Sequence, residues 1–253
     1  MSEYKICLLV PHFNHVESFN SFLPKLLSTM LTFIVVDDGS DSDVKDKLKS
    51  ILSNIDHCHL LEHSHNQGKG AAIMTGVKFA QELAFTHVLQ IDADGQHDVN
   101  DINSFITYSK EHRKQIVSGA PRFDQNAPKA RVYGRKVTDF WVAIETLSFG
   151  IKDSLCGFRI YPIKEFNQVK SSYHLGSRMT IDTEILVKSV WQGIKLHFIT
   201  TKVIYPKNSV SHFHYIRDNI RLILLHIQLM IGMLIRFPKL LLWRLSGKMA
   251  SAS

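Results

Sequence analysis

The chain has 253 residues, 45% of them hydrophobic, and a formal net charge of +7. That length supports one sizeable α/β domain with an appendage rather than two full domains. Three widely spaced cysteines, Cys7, Cys58 and Cys156, without a CxxC pair exclude a disulfide framework and fit a reducing compartment. The basic balance comes without zinc-finger spacing, RNA-binding aromatics or a basic heptad helix, which disfavours nucleic acid and leaves anionic lipid or a phosphorylated substrate.

The residues from Met1 to Lys5 make no charged lead into a long apolar run, so no signal peptide is read and a cytoplasmic location is expected. Residues 5–10 read as a buried strand and 16–30 as an amphipathic helix. A strand at 32–36 ends in Asp37-Asp38-Gly39-Ser40, and a helix follows at 42–52. The strand at 57–63 carries histidines at odd positions, His57, His59, His63 and His65, hence on one face. Even projection along a strand spaces them too widely to converge on one ion, so a partly solvated face is expected.

Asn66-Gln67-Gly68-Lys69-Gly70 opens a helix to residue 83. The glycines and Lys69 at a helix N-terminus would favour a diphosphate, although a plain turn into a helix has the same appearance. Neither GxxxxGK[ST] nor GxGxxG spacing is present. The strand at 86–91 then delivers Asp92-Ala93-Asp94-Gly95-Gln96-His97. Two carboxylates and an amide oxygen at alternate positions past a strand end suit Mg²⁺ or Mn²⁺ with positions left open for phosphate oxygens. A bare Asp pair in a loop is more often a turn feature, so its neighbours must decide.

A helix at 99–110 and a strand at 115–118 complete the alternation, which implies a parallel, doubly wound sheet. Ligands in such sheets sit beyond the carboxyl ends of the strands, where Asp38 and the Asp92/Asp94 pair both fall. Residues 119–131 read as a loop, 132–149 and 179–191 as helices, and 195–204 as a strand. Arg122, Arg131 and Arg135 follow the cleft-forming half and could hold phosphate groups, though each alone reads as a surface charge. Asp182 and Glu184 share the start of the helix at 179–191, where a carboxylate acts either as a general base or as an N-terminal cap.

The tail differs in kind. From Arg217 to Lys248 there are six Lys or Arg and one acid, Asp218. At 100° per residue Arg217, Arg221, Gln228, Gly232 and Arg236 form one stripe, leaving an apolar arc with Leu222, Ile223, Ile227, Met230 and Leu234. Pro238 is expected to break the helix, with Trp243 beyond it as an interfacial anchor. A helix lying in the membrane surface is favoured over one packed on protein.

Taken in order, Pro11-x-Phe13-Asn14, Asp37-Asp38-Gly39-Ser40, Asn66-x-Gly68-Lys69-Gly70, Asp92-x-Asp94-Gly95-Gln96-His97 and Gly157-Phe158-Arg159 resemble the family 2 glycosyltransferases. The likeness spans about residues 4–205 and is to the branch with dolichyl- and polyprenyl-phosphate sugar transferases. Softer likeness, through Tyr205-Pro206 and Ser211-His212-Phe213-His214, is to small membrane-associated bacterial members linked to envelope synthesis.

The resemblance implies the GT-A fold: an α/β, doubly wound, mostly parallel sheet with flanking helices. To these the tail adds C-terminal amphipathic helices. Residues 1–210 would form the transferase domain and 211–253 a membrane-associating tail. Pro11, Phe13 and Asp38 would border the nucleotide, and Gly68, Lys69, Asp92, Ala93, Asp94 and Glu184 are also expected to bind substrate. Asp92, Asp94 and Gln96 would hold Mg²⁺ or Mn²⁺, Arg122 and Arg135 the phosphates, and Asp182 would be the base for an acceptor hydroxyl. Phe13 replaces the more usual Tyr, His15 sits where the lipid-phosphate enzymes often have Glu, and Ile181-Asp182 stands where hydroxyl-acceptor members usually show Glu-Asp.

The expected activity is inverting transfer from a nucleoside-diphosphate sugar to a lipid hydroxyl on the cytoplasmic face of the inner membrane, with self-association left open. Transfer to a polyprenyl phosphate, a nucleotidyltransferase and a non-catalytic nucleotide-sugar-binding scaffold are the alternatives.

Overall fold

In a computed structural model, residues 3–123, 129–203 and 215–246 are described. The boundary expected at 210/211 and the motifs at Tyr205-Pro206 and Ser211–His214 lie outside them, as do the side chains of Arg131 and Arg217. The described strands form one seven-stranded sheet. In chain order they are β1 (Ile6–His12), β2 (Phe33–Asp37), β3 (Cys58–Glu62), β4 (His87–Gln90), β5 (Ile116–Arg122), β6 (Arg159–Pro162) and β7 (Leu196–Lys202). Their spatial order is β3-β2-β1-β4-β6-β5-β7. The first four run parallel, and β5 pairs parallel with β7.

Helices α1 (Val16–Leu27), α2 (Ser42–Leu52) and α4 (Ile102–Glu111) contribute to the core on one face of the sheet. Helices α3 (Lys69–Glu82), α5 (Lys129–Thr146), α6 (Ile163–Ser172), α7 (Ile181–Trp191) and α8 (Tyr215–Leu245) contribute to the other. The alternation that produces this is visible in β1, where Leu8 and Val10 join the first core and Cys7 and Leu9 the second. Strand order reverses between β1 and β4, so their carboxyl ends flank a crevice, the usual ligand position in such sheets.

Several elements depart from expectation. Strand β6 and helix α6 had no sequence-based counterpart, and β6 runs antiparallel to both β4 and β5 in the middle of the sheet. It is four residues long, begins with a charge, Arg159, and ends in Pro162, all signals against a central strand. It is tolerated because Arg159, wholly buried, has its donors taken by distant partners.

Pro238 does not break the tail, and α8 runs unbroken through it for 31 residues. Proline inside a helix costs about 3 kcal/mol. Contacts beyond it offset that cost: Leu240 is fully buried, Lys239 Nζ donates to the Trp191 carbonyl at 3.4 Å, and the Trp243 ring packs over Gly193.

The orientation of α8 also corrects the expected stripe. Leu225, Leu229, Met233 and Leu240 are buried in the second core. The stripe residues Gly232 and Arg236 face the protein, where Gly232 abuts Trp191 and the Arg236 guanidinium lies 4.9 Å from the Trp191 ring centre and 5.0 Å from that of Tyr173. Trp243 likewise leans on protein and on Lys239 rather than standing free. The helix therefore packs on the domain and still leaves an outer apolar face, including Leu234, Ile235 and Leu242.

Candidate active site

A cleft of about 1250 Å³ opens at the carboxyl ends of β1, β2 and β4 and continues between α5 and α8. Pro11, Phe13, Asp38, Gly68, Lys69, Asp92, Ala93, Asp94, Gln96, Arg135 and Asp182 all line it. Arg122 and Glu184 do not. Arg122 sits exposed at the end of β5. Glu184 is two residues from Asp182 on α7, hence rotated by about 200°, and its carboxylate accepts from the Gly176 amide at 2.9 Å and Lys188 Nζ at 2.8 Å.

Asp37 and Asp38, adjacent at the end of β2, divide their work. Asp37 accepts from the Ser40 amide at 3.1 Å and faces His12 Nδ1 at 3.0 Å, which closes the turn. Asp38 accepts from the amides of Gln67 at 3.0 Å and Gly68 at 2.7 Å, and its Oδ1 lies 2.7 Å from His63 Nδ1. His63 is buried, with Nε2 3.0 Å from Thr75 Oγ1. Of the four histidines expected on a partly solvated face, His63 is thus turned inward as a brace for Asp38.

The glycine loop serves close approach of the protein's own backbone. Gly68 has φ +106°, and a Cβ there or at Gly70 would collide with the carbonyls of Ser177 or Gly176. The Ala71 amide donates to the Ser177 carbonyl at 3.0 Å. Packed this way, Lys69 projects across the cleft. Its Nζ lies 2.8 Å from Asp92 Oδ1, 3.0 Å from Asp92 Oδ2 and 2.7 Å from Asp182 Oδ2. Gln90 Nε2 also approaches Asp182 Oδ1, at 3.4 Å.

The electrostatics follow. Burial opposes the charge on Lys69, but Asp182 and Asp92 override it and hold the ammonium well above its ordinary range. Burial likewise opposes ionisation of Asp92, yet Lys69 and His97 keep its carboxyl far below the usual carboxylate range. Asp94 goes the other way: burial and the charge on Asp92 push it up, and its Oδ1 accepts only the Gln96 amide, at 3.0 Å, among its described partners. Gly157 abuts the Asp92 carboxylate so closely that any Cβ would strike it.

The residues fit a hard divalent cation. Asp94 is short of positive charge, Asp92 Oδ1 takes no well-aligned hydrogen bond despite its ion pair, and Gln96 lines the same space. Among the described residues no cluster of three His, Cys, Asp or Glu could enclose an ion. Two carboxylates and an amide would leave positions open for diphosphate oxygens.

Arg135 is held by Asp153, whose oxygens accept at 2.8 and 2.7 Å. Arg178, which carried no distinguishing sequence signal, hydrogen-bonds Asn66, and His97, part of the Asp92–His97 motif but assigned no role there, has its Nε2 3.9 Å from Asp92 Oδ2. The apolar wall of the cleft was equally illegible in α5, where Val137 and Trp141 face Leu222, Ile223, Ile227 and Met230 of α8.

Over about 80% of its length the chain is 25% identical to a UDP-N-acetylglucosamine–dolichyl-phosphate N-acetylglucosaminyltransferase of Methanococcus voltae, covering 83% of this chain and 90% of that one. It is 26% identical to a dolichyl-phosphate beta-glucosyltransferase of Trichomonas vaginalis, over 78% of this chain and 65% of the relative. In fold it matches glucosyl-3-phosphoglycerate synthase from Mycobacterium tuberculosis, solved with Mn²⁺ and UDP-glucose. The TM-score is 0.62 at 12% identity, over 91% of this chain and 79% of that one. That likeness establishes the GT-A fold. The model of the glycosyl transferase family 2 matches residues 7–216, and the chain belongs to that family.

Proposed function

We propose that the protein is a metal-dependent, inverting transferase that moves a sugar from a nucleoside diphosphate to a lipid phosphate held at the membrane surface. The observation that carries this reading is the continuity of the cleft, from Asp92 and Asp94 to an apolar wall of α5 and α8. A polar acceptor head could meet the donor at the carboxylates while its apolar chain stays out of water. The relatives named for dolichyl phosphate support a lipid-phosphate acceptor.

In this reading Asp92, Asp94 and Gln96 hold the cation. When bound, it would neutralise charge on the departing diphosphate. The residues around it orient the donor so that an acceptor oxygen attacks the anomeric carbon as the bond to the diphosphate breaks, inverting the centre. A phosphate acceptor is already ionised and needs no base, which agrees with an Asp182 carboxylate engaged by Lys69. The second reading, a hydroxyl acceptor deprotonated by Asp182, rests on the position of that residue on the cleft wall.

Product chemistry separates the two. With radiolabelled UDP- and GDP-linked sugars, Mn²⁺ and lipid extract, the expected product is a labelled lipid that mild acid hydrolyses. An acid-stable labelled lipid would transfer the assignment to the hydroxyl reading, and the absence of any labelled lipid would sink both.

Membrane attachment is expected through apolar surface on two helices. On α8 Leu234, Ile235 and Leu242 are 60–74% exposed, and on α5 Tyr133 and Phe140 are 73% and 59% exposed. The described part of α8, Asp218–Leu245, is also long and apolar enough to cross a membrane. Leu234→Gln/Ile235→Gln/Leu242→Gln should abolish co-sedimentation with phosphatidylglycerol vesicles while leaving the fold intact, since none of the three is buried. Undiminished co-sedimentation of this triple variant would remove the interfacial role of α8.

A further inference from the structure

We infer that Lys69 is a built-in counter-cation that stands in for the divalent metal at Asp92 and yields that carboxylate when the metal loads. The inference rests on the reading of Asp92 and Asp94 as metal ligands. Lys69 begins α3, Asp92 follows β4 and Asp182 lies in the first turn of α7, so one ammonium ties together three separate elements.

Its contacts would stabilise the site without metal. Two carboxylates at the bottom of a cleft, with side chains 26% and 6% exposed, would repel each other and lose hydration. The ammonium within 3 Å of both removes that cost. Among the described residues none makes an ion pair with Asp94, whose described hydrogen bond comes only from the Gln96 amide. The site therefore has one carboxylate already neutralised and one awaiting charge.

A divalent cation held by Asp92 and Asp94 would place a second positive charge beside the ammonium. Like charges that close, in a partly dehydrated cleft, repel strongly. Loading must push Lys69 off Asp92, leaving it on Asp182 or free for the anionic donor. Metal affinity is thereby kept low until a diphosphate arrives to receive both cations. A lysine whose sole task is to bind substrate predicts no such competition.

The test reads metal binding, not activity. Free Mn²⁺ is titrated by electron paramagnetic resonance with wild type, Lys69→Met, Lys69→Arg and Asp94→Ala, all without nucleotide. Lys69→Met should bind Mn²⁺ about tenfold or more tightly than wild type, whereas Lys69→Arg, which keeps the charge, should stay near wild type. Lys69→Met should also melt lower in EDTA and recover with Mn²⁺. Lys69→Gln carries the same expectation should the Met variant fold poorly. Unchanged or weaker Mn²⁺ binding in the neutral variants, against a wild type that binds and an Asp94→Ala that does not, overturns the role of Lys69 alone. If wild type and Asp94→Ala bind alike, the metal site itself falls and this inference with it.

Discussion

Asp94→Asn lowers sugar transfer by on the order of 10³-fold while the fold survives, because the substitution removes a charge that the site needs and the fold does not. The carboxylate is partly buried beside Asp92 and is pushed above its ordinary pKa by burial and by that neighbour. Ionising it costs the folded state free energy, so the neutral isostere should be as stable as wild type or more so. The asparagine carbonyl can still accept the Gln96 amide now 3.0 Å from Oδ1. Asp94→Ala loses that bond too and should be less stable by only about 1 kcal/mol. The measurements are turnover at saturating Mn²⁺ and urea unfolding of the metal-free protein. Retention of more than about a tenth of wild-type turnover by Asp94→Asn would show that the second carboxylate does not hold the cation.

Arg159→Met is expected to cost about 3–5 kcal/mol of stability, because it removes three hydrogen bonds made by a buried charged donor. Arg159 is completely buried. Its Nε donates to Ser118 Oγ at 3.0 Å and its Nη2 to the Ser154 carbonyl at 2.9 Å, while Nη1 donates to the Asp182 carbonyl and lies 3.5 Å from Tyr161 Oη. The guanidinium fork thus joins β5, β6, the segment before β6 and the first turn of α7. Methionine fills similar space but makes none of these bonds, leaving the Ser154 carbonyl only its longer bond from Thr183 Oγ1, at 3.4 Å. Lysine should not rescue, since one ammonium on a flexible stem cannot reach partners on opposite sides. Residual activity should fall further than the unfolded fraction explains, because the Asp182 backbone loses its anchor. A urea midpoint equal to that of wild type would refute this account.

The parts legible in the sequence were those encoded over a few residues. Apolar runs of strand length, interrupted by amphipathic helices, specify β1, β2 and β4, because burial on both faces of a sheet demands continuous apolar strands. Strand-end carboxylates followed by glycine turns specify Asp38 and the Asp92/Asp94 pair, because the chain must turn there and a parallel sheet aligns those ends. Asp182 was legible through its place at a helix start, but that signal named Glu184 equally. Only the rotation of α7 in the fold distinguishes them.

What the tertiary structure alone decided concerns partners far apart in the chain. Lys69 meets Asp182 across 113 positions, and Arg159 reaches Ser118 across 41. No local pattern records such a pairing, since its energy exists only after both elements dock. The same holds for α8. Helical periodicity established that it has a polar stripe and an apolar arc. Which of them faces the domain depended on Trp191 and Tyr173 offering aromatic faces to Arg236, and on Leu225 and Leu229 finding the core between α5 and α7. By itself, then, the sequence determined a sheet whose strand ends gather carboxylates, because backbone and burial rules act locally. Only the folded chain decided how those carboxylates are charged, braced and opened toward an apolar wall, because that depends on long-range contact.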